Sequence, residues 1–185
     1  MNTRTRVLTG TALAIALGAG TFGAVSASAT PAPESAPAAA AKKKDEGDDK
    51  NFTTTTHLTI DAATRAAQAS LKAAQAENQK VTVAVVDRNG NTIVTLRGDG
   101  AGPQSYESAE RKAFTAVSWN APTSVLAGRL AQAPNLKDIP GTLFLGGGVP
   151  VQASGAPVAG IGVAGAPSGD LDEKFAKAGV DALSK

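Results

Sequence analysis

The alternation of hydrophobic and polar positions begins in earnest near His57 and runs to the end of the chain. Between Leu58 and Asn78, the residues Ile60, Ala63, Ala67, Leu71 and Ala74 recur at helical spacing and predict a helix with a narrow face of mainly small side chains. Thr59 is placed to cap it, and Asp61 lies in its first turn. Val81 to Asp87 and Thr92 to Arg97 are β-branched runs, and Asn89-Gly90 between them suits the positive φ angles of a tight hairpin turn. Gln104 to Trp119 predicts a second helix, with Tyr106, Ala109, Ala113, Ala116 and Val117 as its apolar face. A short third helix is expected from Pro122 to Ala131, followed by a loop from Pro134 to Gly141. Leu143 to Leu145, Val149 to Ala153 and Val158 to Val163 read as three strands, broken by Gly146-Gly147-Gly148 and by Gly155, and Asp170 to Leu183 reads as a last helix. This order predicts an α+β fold: one domain over 57–185, with an antiparallel sheet of about five strands packed with about four helices.

The stretch before the domain has a different pattern. Arg4 and Arg6 precede a run from Val7 to Val25 rich in Ala, Leu, Val and Gly, which closes on Ala27-Ser28-Ala29. A positive start, an apolar centre and a small-x-small end predict a secretory signal peptide over residues 1–29, and hence an exported protein. Gly and Thr dilute the apolar run, which argues against a membrane anchor. Thr5 separates the two arginines, so a twin-arginine signal is not supported. Residues 30–56, Pro- and Ala-rich and then carrying Lys42-Lys43-Lys44 ahead of four acids, read as a solvated tether.

Composition then removes whole classes of function. The chain has 18 basic and 16 acidic residues, and the signal would take Arg4 and Arg6 with it, leaving equal numbers. The pI near 9.0 belongs to the precursor, so a basic footprint for nucleic acid is not expected. There is no cysteine, which excludes thiolate metal sites, iron–sulfur clusters, covalent haem attachment and cysteine nucleophiles. Met1 is the one methionine and His57 the one histidine. His57 lies at the edge of the fold, so a Ser-His-Asp arrangement is not expected and hydrolase chemistry is disfavoured.

Three stretches remain as candidates. Gly160-Ile161-Gly162-Val163-Ala164-Gly165 matches G-x-G-x-x-G, but the chain beyond it has room for one helix and no second strand. The glycines are therefore expected to let a strand and helix pack closely, not to hold a dinucleotide. Glu107 and Glu110 stand at i and i+3 on the second helix, where both carboxylates can reach one hard cation. The alternative is a solvated charged face, with Glu107 paired to Arg111 at i+4. Thr142 offers a hydroxyl beside a glycine-relieved segment that something flat could approach, or else it is a strand residue among hairpin glycines.

The hairpin Val81 to Gly90, the helix Ala109 to Ala116, the turn Gly146 to Val151 and the run Ala159 to Gly165 together, in this order, resemble the GlcG/HbpS family of haem-degrading and haem-binding proteins. The likeness spans about Leu58 to Ser184 and, with the export signal, is greatest to the secreted HbpS-type members. It implies an antiparallel sheet flanked by helices and a homo-oligomer, an octamer. It also implies binding of haem and iron, haem breakdown as an alternative activity, and partnership with a membrane sensor histidine kinase under redox stress. Glu107 and Glu110 fall on the family's acidic-x-x-Glu iron pattern, and Thr142 on the threonine that approaches the haem iron. With His, Cys and Met nearly absent, an oxygen ligand such as Thr142, or less favourably Tyr106, remains for ferric haem. A neutral hydroxyl is a weak ligand, so loose and exposed haem attachment is expected, and turnover stays open.

Overall fold

The computed structural model describes residues 51–184; the expected signal peptide and most of the expected tether lie outside the described residues. Helix α1 spans Ile60–Ala76, strands β1 and β2 span Thr82–Asp87 and Thr92–Arg97, and helix α2 spans Ser105–Trp119. Helix α3 covers Thr123–Gly128 and runs into two short 3-10 turns, Arg129–Ala131 and Pro134–Asp138. Strands β3 (Gly148–Ala153) and β4 (Ala156–Ala164) and helix α4 (Gly169–Asp181) complete the domain. The sheet has four strands in the order β2-β1-β4-β3, every neighbouring pair antiparallel. The α+β expectation holds, with one strand fewer.

β1 and β4 lie at the centre and are covered on both faces. Val81, Val83, Val85, Ile161 and Val163 face α1 and α4 and share a core with Ala63, Ala67, Phe175 and Ala176. The alternate residues, Ala84, Val86 and Ala164, face α2 through Ala109, Ala113 and Val117. A strand buried on both sides reads as continuously apolar, which is what Val83 to Val86 shows; the buried Thr82 hydroxyl before it is satisfied by Ser105 Oγ at 2.7 Å.

β4 alternates differently. Ala159, Ile161 and Val163 point one way, while Gly160 and Gly162 present bare backbone to α2. A Cβ on Gly162 would lie 2.0 Å from the Ala109 carbonyl oxygen, and one on Gly160 would lie 2.1 Å from that of Ala113. The glycine motif is thus a bed for α2, which crosses the middle of the strand. The pairing of β4 with β1 is antiparallel, so no βαβ unit exists for a dinucleotide.

Four local expectations change. Leu143 to Leu145 is not a strand. Its first peptide group is taken by side chains of α2, where Arg111 Nη2 donates to the Thr142 carbonyl at 2.8 Å and Thr115 Oγ1 accepts from Leu143 N–H at 2.7 Å, and Leu145 N–H donates to the Leu143 carbonyl at 3.0 Å. A backbone whose donors and acceptors are engaged this way has nothing to offer a sheet ladder. In the β1–β2 turn, Gly90 takes φ +90° while Asn89 keeps a negative φ, so the paired positive angles are absent. The Asp87 carboxylate shapes this turn by accepting from the Asn89 and Asn91 N–H groups at 2.8 and 2.9 Å. Finally, Ile60 and Tyr106 are not on buried faces; they are 57% and 47% exposed.

Thr59 does cap α1, its hydroxyl accepting from Ala62 N–H at 3.2 Å. The Gly146 to Gly148 run is neither hairpin punctuation nor a surface for a ligand. A Cβ on Gly147 would meet Lys112 Nζ at 2.8 Å, and one on Gly148 would meet the Lys112 carbonyl at 2.3 Å. The chain passes here directly over α2, which only glycine permits, and Gly147 also takes φ +126°.

Candidate functional site

The middle of α2 organises the polar chemistry of the domain. Ser105 to Trp119 alternates small residues that meet the sheet with long charged ones, and three successive charged residues leave the helix in three directions. Glu110 turns toward β2, Arg111 toward the 139–145 segment, and Lys112 inward.

Glu110 is half-buried and accepts from Thr95 Oγ1 at 3.1 Å and Thr92 Oγ1 at 3.5 Å. Both donors use Oε1, leaving Oε2 without a protein donor among the described residues. Glu110 lines a cleft of about 290 Å³ whose apolar wall is Val86 and Phe114 and whose polar rim is Thr92 and Arg111. Two positive-φ glycines, Gly90 and Gly141, close on the Phe114 ring; a Cβ would fall 2.8 Å and 3.5 Å from it. Glycine there lets the hairpin turn and the 139–145 segment meet over one aromatic ring.

Glu107 lies one turn earlier on α2, outside the cleft lining and 77% exposed, and Arg111 Nη1 is 3.5 Å from its Oε1. The expected i,i+4 pair therefore exists. An exposed pair of this kind contributes little to stability. Among the described residues no three His, Asp or Glu side chains converge as a metal cage. Two hard oxygen donors on one helix face fit an open cation site, with the rest of the shell supplied by water or another chain.

Thr142 sits behind the cleft, not at its mouth. It is 2% exposed, and its hydroxyl donates to the Ile139 carbonyl at 2.7 Å. Gly141, its neighbour, reaches the cleft instead. Tyr106 is exposed on the outer side of α2, and exposed His57 bonds Thr55 Oγ1 at 2.8 Å through Nε2. Glu110 and the Thr142 segment are thus brought together around Arg111, while Tyr106 lines none of this cleft. A volume near 290 Å³ is at the low end for small-ligand pockets, so a porphyrin would enter by an edge and remain largely outside.

Sequence reading missed three buried charged side chains, Lys112, Asp172 and Glu173. Lys112, 2% exposed, donates to Asp172 Oδ2 at 2.7 Å and to the Val163 carbonyl at 3.0 Å. Burial pushes the Asp172 carboxyl above its ordinary value, although the Lys112 ammonium and the Ala166 N–H pull against it. Glu173 beside it is also buried, but the Ser124 and Lys177 bonds outweigh that burial and hold its carboxyl below the ordinary value. The available signal was positional: Lys112 shares the helix face of Ala109, Ala113 and Ala116, where a charge needs a partner.

The HbpS-like model, described as haem-degrading protein HbpS-like, matches residues 58–181. The chain belongs to this haem-degrading family. It is similar to HbpS as seen in a crystal structure, at 76% identity over 71% of this chain and 94% of that one, with a TM-score of 0.71. A Streptomyces reticuli HbpS double mutant, two glutamates three positions apart replaced by aspartate, is 70% identical over 80% of this chain and 97% of that one, also at 0.71. A PduOC:haem complex is 26% identical over 69% of this chain and 95% of that one, with a TM-score of 0.63. Family membership therefore covers the folded domain, and the relatives share its fold.

Proposed function

We propose that this chain is an exported haem- and iron-binding protein that reports haem, iron and redox conditions to a membrane sensor histidine kinase. The observation that carries the reading is the family match across the folded domain, together with identities of 70 to 76% to HbpS structures. A haem complex of a more distant relative supports haem as the ligand. The acidic pair draws support from the double mutant: its altered positions have the spacing of Glu107 and Glu110, and their numbers run 29 lower, the length of the expected signal peptide. Export rests on the Arg4/Arg6 start and the Ala27-Ser28-Ala29 end of the leader.

In this reading Glu107 and Glu110 hold iron as cargo, and the Thr142 segment meets the haem. Since Thr142 is covered in the single chain, haem attachment involves either movement of the 139–145 segment or a neighbouring chain of a homo-oligomer, an octamer. Haem titration of the mature protein, with oligomer mass measured alongside, tests this: saturable binding to an oligomer is expected. Titration without saturation would refute the ligand. Calorimetry with iron on Glu107→Gln/Glu110→Gln should show the binding lost; undiminished binding would remove the acidic pair from the site.

The family description favours a second reading, haem degradation. It requires an isolable tetrapyrrole product over multiple turnovers, whereas bleaching limited to one equivalent supports the binding protein.

A further inference from the structure

Among the described residues, Arg111 bonds to both halves of the proposed site. Its Nη1 lies 3.5 Å from Glu107 Oε1, and its Nη2 donates to the Thr142 carbonyl at 2.8 Å. A guanidinium is planar and rigid, so these two nitrogens move as one body. Thr115 holds the other side of the same peptide, its hydroxyl accepting from Leu143 N–H at 2.7 Å while donating to the Arg111 carbonyl at 2.7 Å. The Thr142–Leu143 peptide is therefore gripped by two residues one helical turn apart, and only one of them is charged.

We propose that Arg111 is a positioning residue that couples cation uptake at Glu107 and Glu110 to release of the Thr142 segment. The proposal rests on the acidic pair being a cation site. A cation that takes up the Glu107 carboxylate replaces the guanidinium as its counter-charge and sets a like charge beside it. The guanidinium withdraws, and because it is rigid the bond to the Thr142 carbonyl goes with it. Thr115 carries no charge and keeps its grip, so the segment opens on the carbonyl side, about Leu143. Thr142, 2% exposed with the segment closed, is thereby uncovered. By linkage, a ligand that needs Thr142 uncovered tightens cation binding by the same factor.

Mn(II) serves as a redox-inert hard cation, with binding read by electron paramagnetic resonance and the segment read by hydrogen exchange of peptides covering 139–145. In the parent, Mn(II) should raise exchange in that segment. Arg111→Met removes the competing charge and should bind Mn(II) about 5-fold tighter or more, with exchange in 139–145 already high and unresponsive to the metal. Arg111→Lys keeps the charge but not the two-pronged grip. It should bind Mn(II) like the parent while losing the exchange response, and it carries the test should the Met variant not fold. If Mn(II) binding depends on Glu107 and Glu110 yet Arg111→Met shows parental affinity and the parental exchange response, the coupling is refuted and the cation site stands. If Glu107→Gln/Glu110→Gln binds Mn(II) as the parent does, or the parent binds none, the cation site falls and the coupling falls with it.

Discussion

Removing one partner of the Lys112–Asp172 pair should be among the more damaging single changes in the domain outside the sheet. Asp172→Leu leaves the Lys112 ammonium 2% exposed, with the Val163 carbonyl as its remaining partner. Breaking a buried pair in this way costs about 3–5 kcal/mol. For a domain of about 130 residues, in which 1 kcal/mol moves Tm by roughly 3–5 °C, that is a fall on the order of 10–20 °C. Lys112→Met strands the Asp172 carboxylate instead and should cost a similar amount. Lys112→Met/Asp172→Leu removes both charges but orphans the Val163 carbonyl and the Ala166 N–H, each worth about 1–3 kcal/mol when buried. The double variant should therefore lose about as much as either single one, well short of their sum. Urea unfolding followed by the fluorescence of Trp119 is the assay, since this single tryptophan packs edge-on to Phe144 at 5.3 Å. A loss below about 1 kcal/mol in Asp172→Leu, or additive single losses, would show that the pair is not isolated from water and would refute the reasoning.

Gly162→Ala should destabilise by at least the roughly 1–3 kcal/mol of an overpacked core, because its Cβ meets backbone of α2 that cannot rotate away. Gly128→Ala, in a helix with open space around it, should instead stabilise by about 0.4–1 kcal/mol; thermal melts that rank the two variants alike would contradict the packing account. Acid should destabilise the fold through Glu173 and Asp87, both held below their ordinary values. A depressed carboxyl contributes stability above its unfolded pKa, about 4, and that contribution is lost as pH falls through the lower folded value. Unfolding free energies measured from pH 6 to pH 2 should fall along that limb, and Glu173→Gln should flatten it; an unchanged slope in the variant would count against the assignment.

Taken alone, the sequence determined the helices, the paired strands and the class of the fold. Those features follow from local spacing: small residues at helical intervals in α1, the β-branched runs of β1 and β2, and a capping Thr59. It also placed Glu107 near Glu110, since three residues along a helix is a fixed geometry. The tertiary structure decided what those elements touch. Leu143 to Leu145 looked like a strand because its composition suits one, but Arg111 and Thr115 hold its first peptide group from a helix about thirty residues earlier in the chain. Gly160 and Gly162 match a nucleotide motif but were expected to let a strand and a helix pack closely; the structure decided that the helix is α2, laid across them. Thr142 looked accessible because accessibility is not a local property; Ile139 and α2 cover it. The helix face of Lys112 pointed to the core, but its partner, Asp172, comes from another helix far along the chain and only the tertiary structure supplies it. Periodicity encodes which face of an element is apolar, while the pairing of polar groups across elements depends on how the faces are stacked.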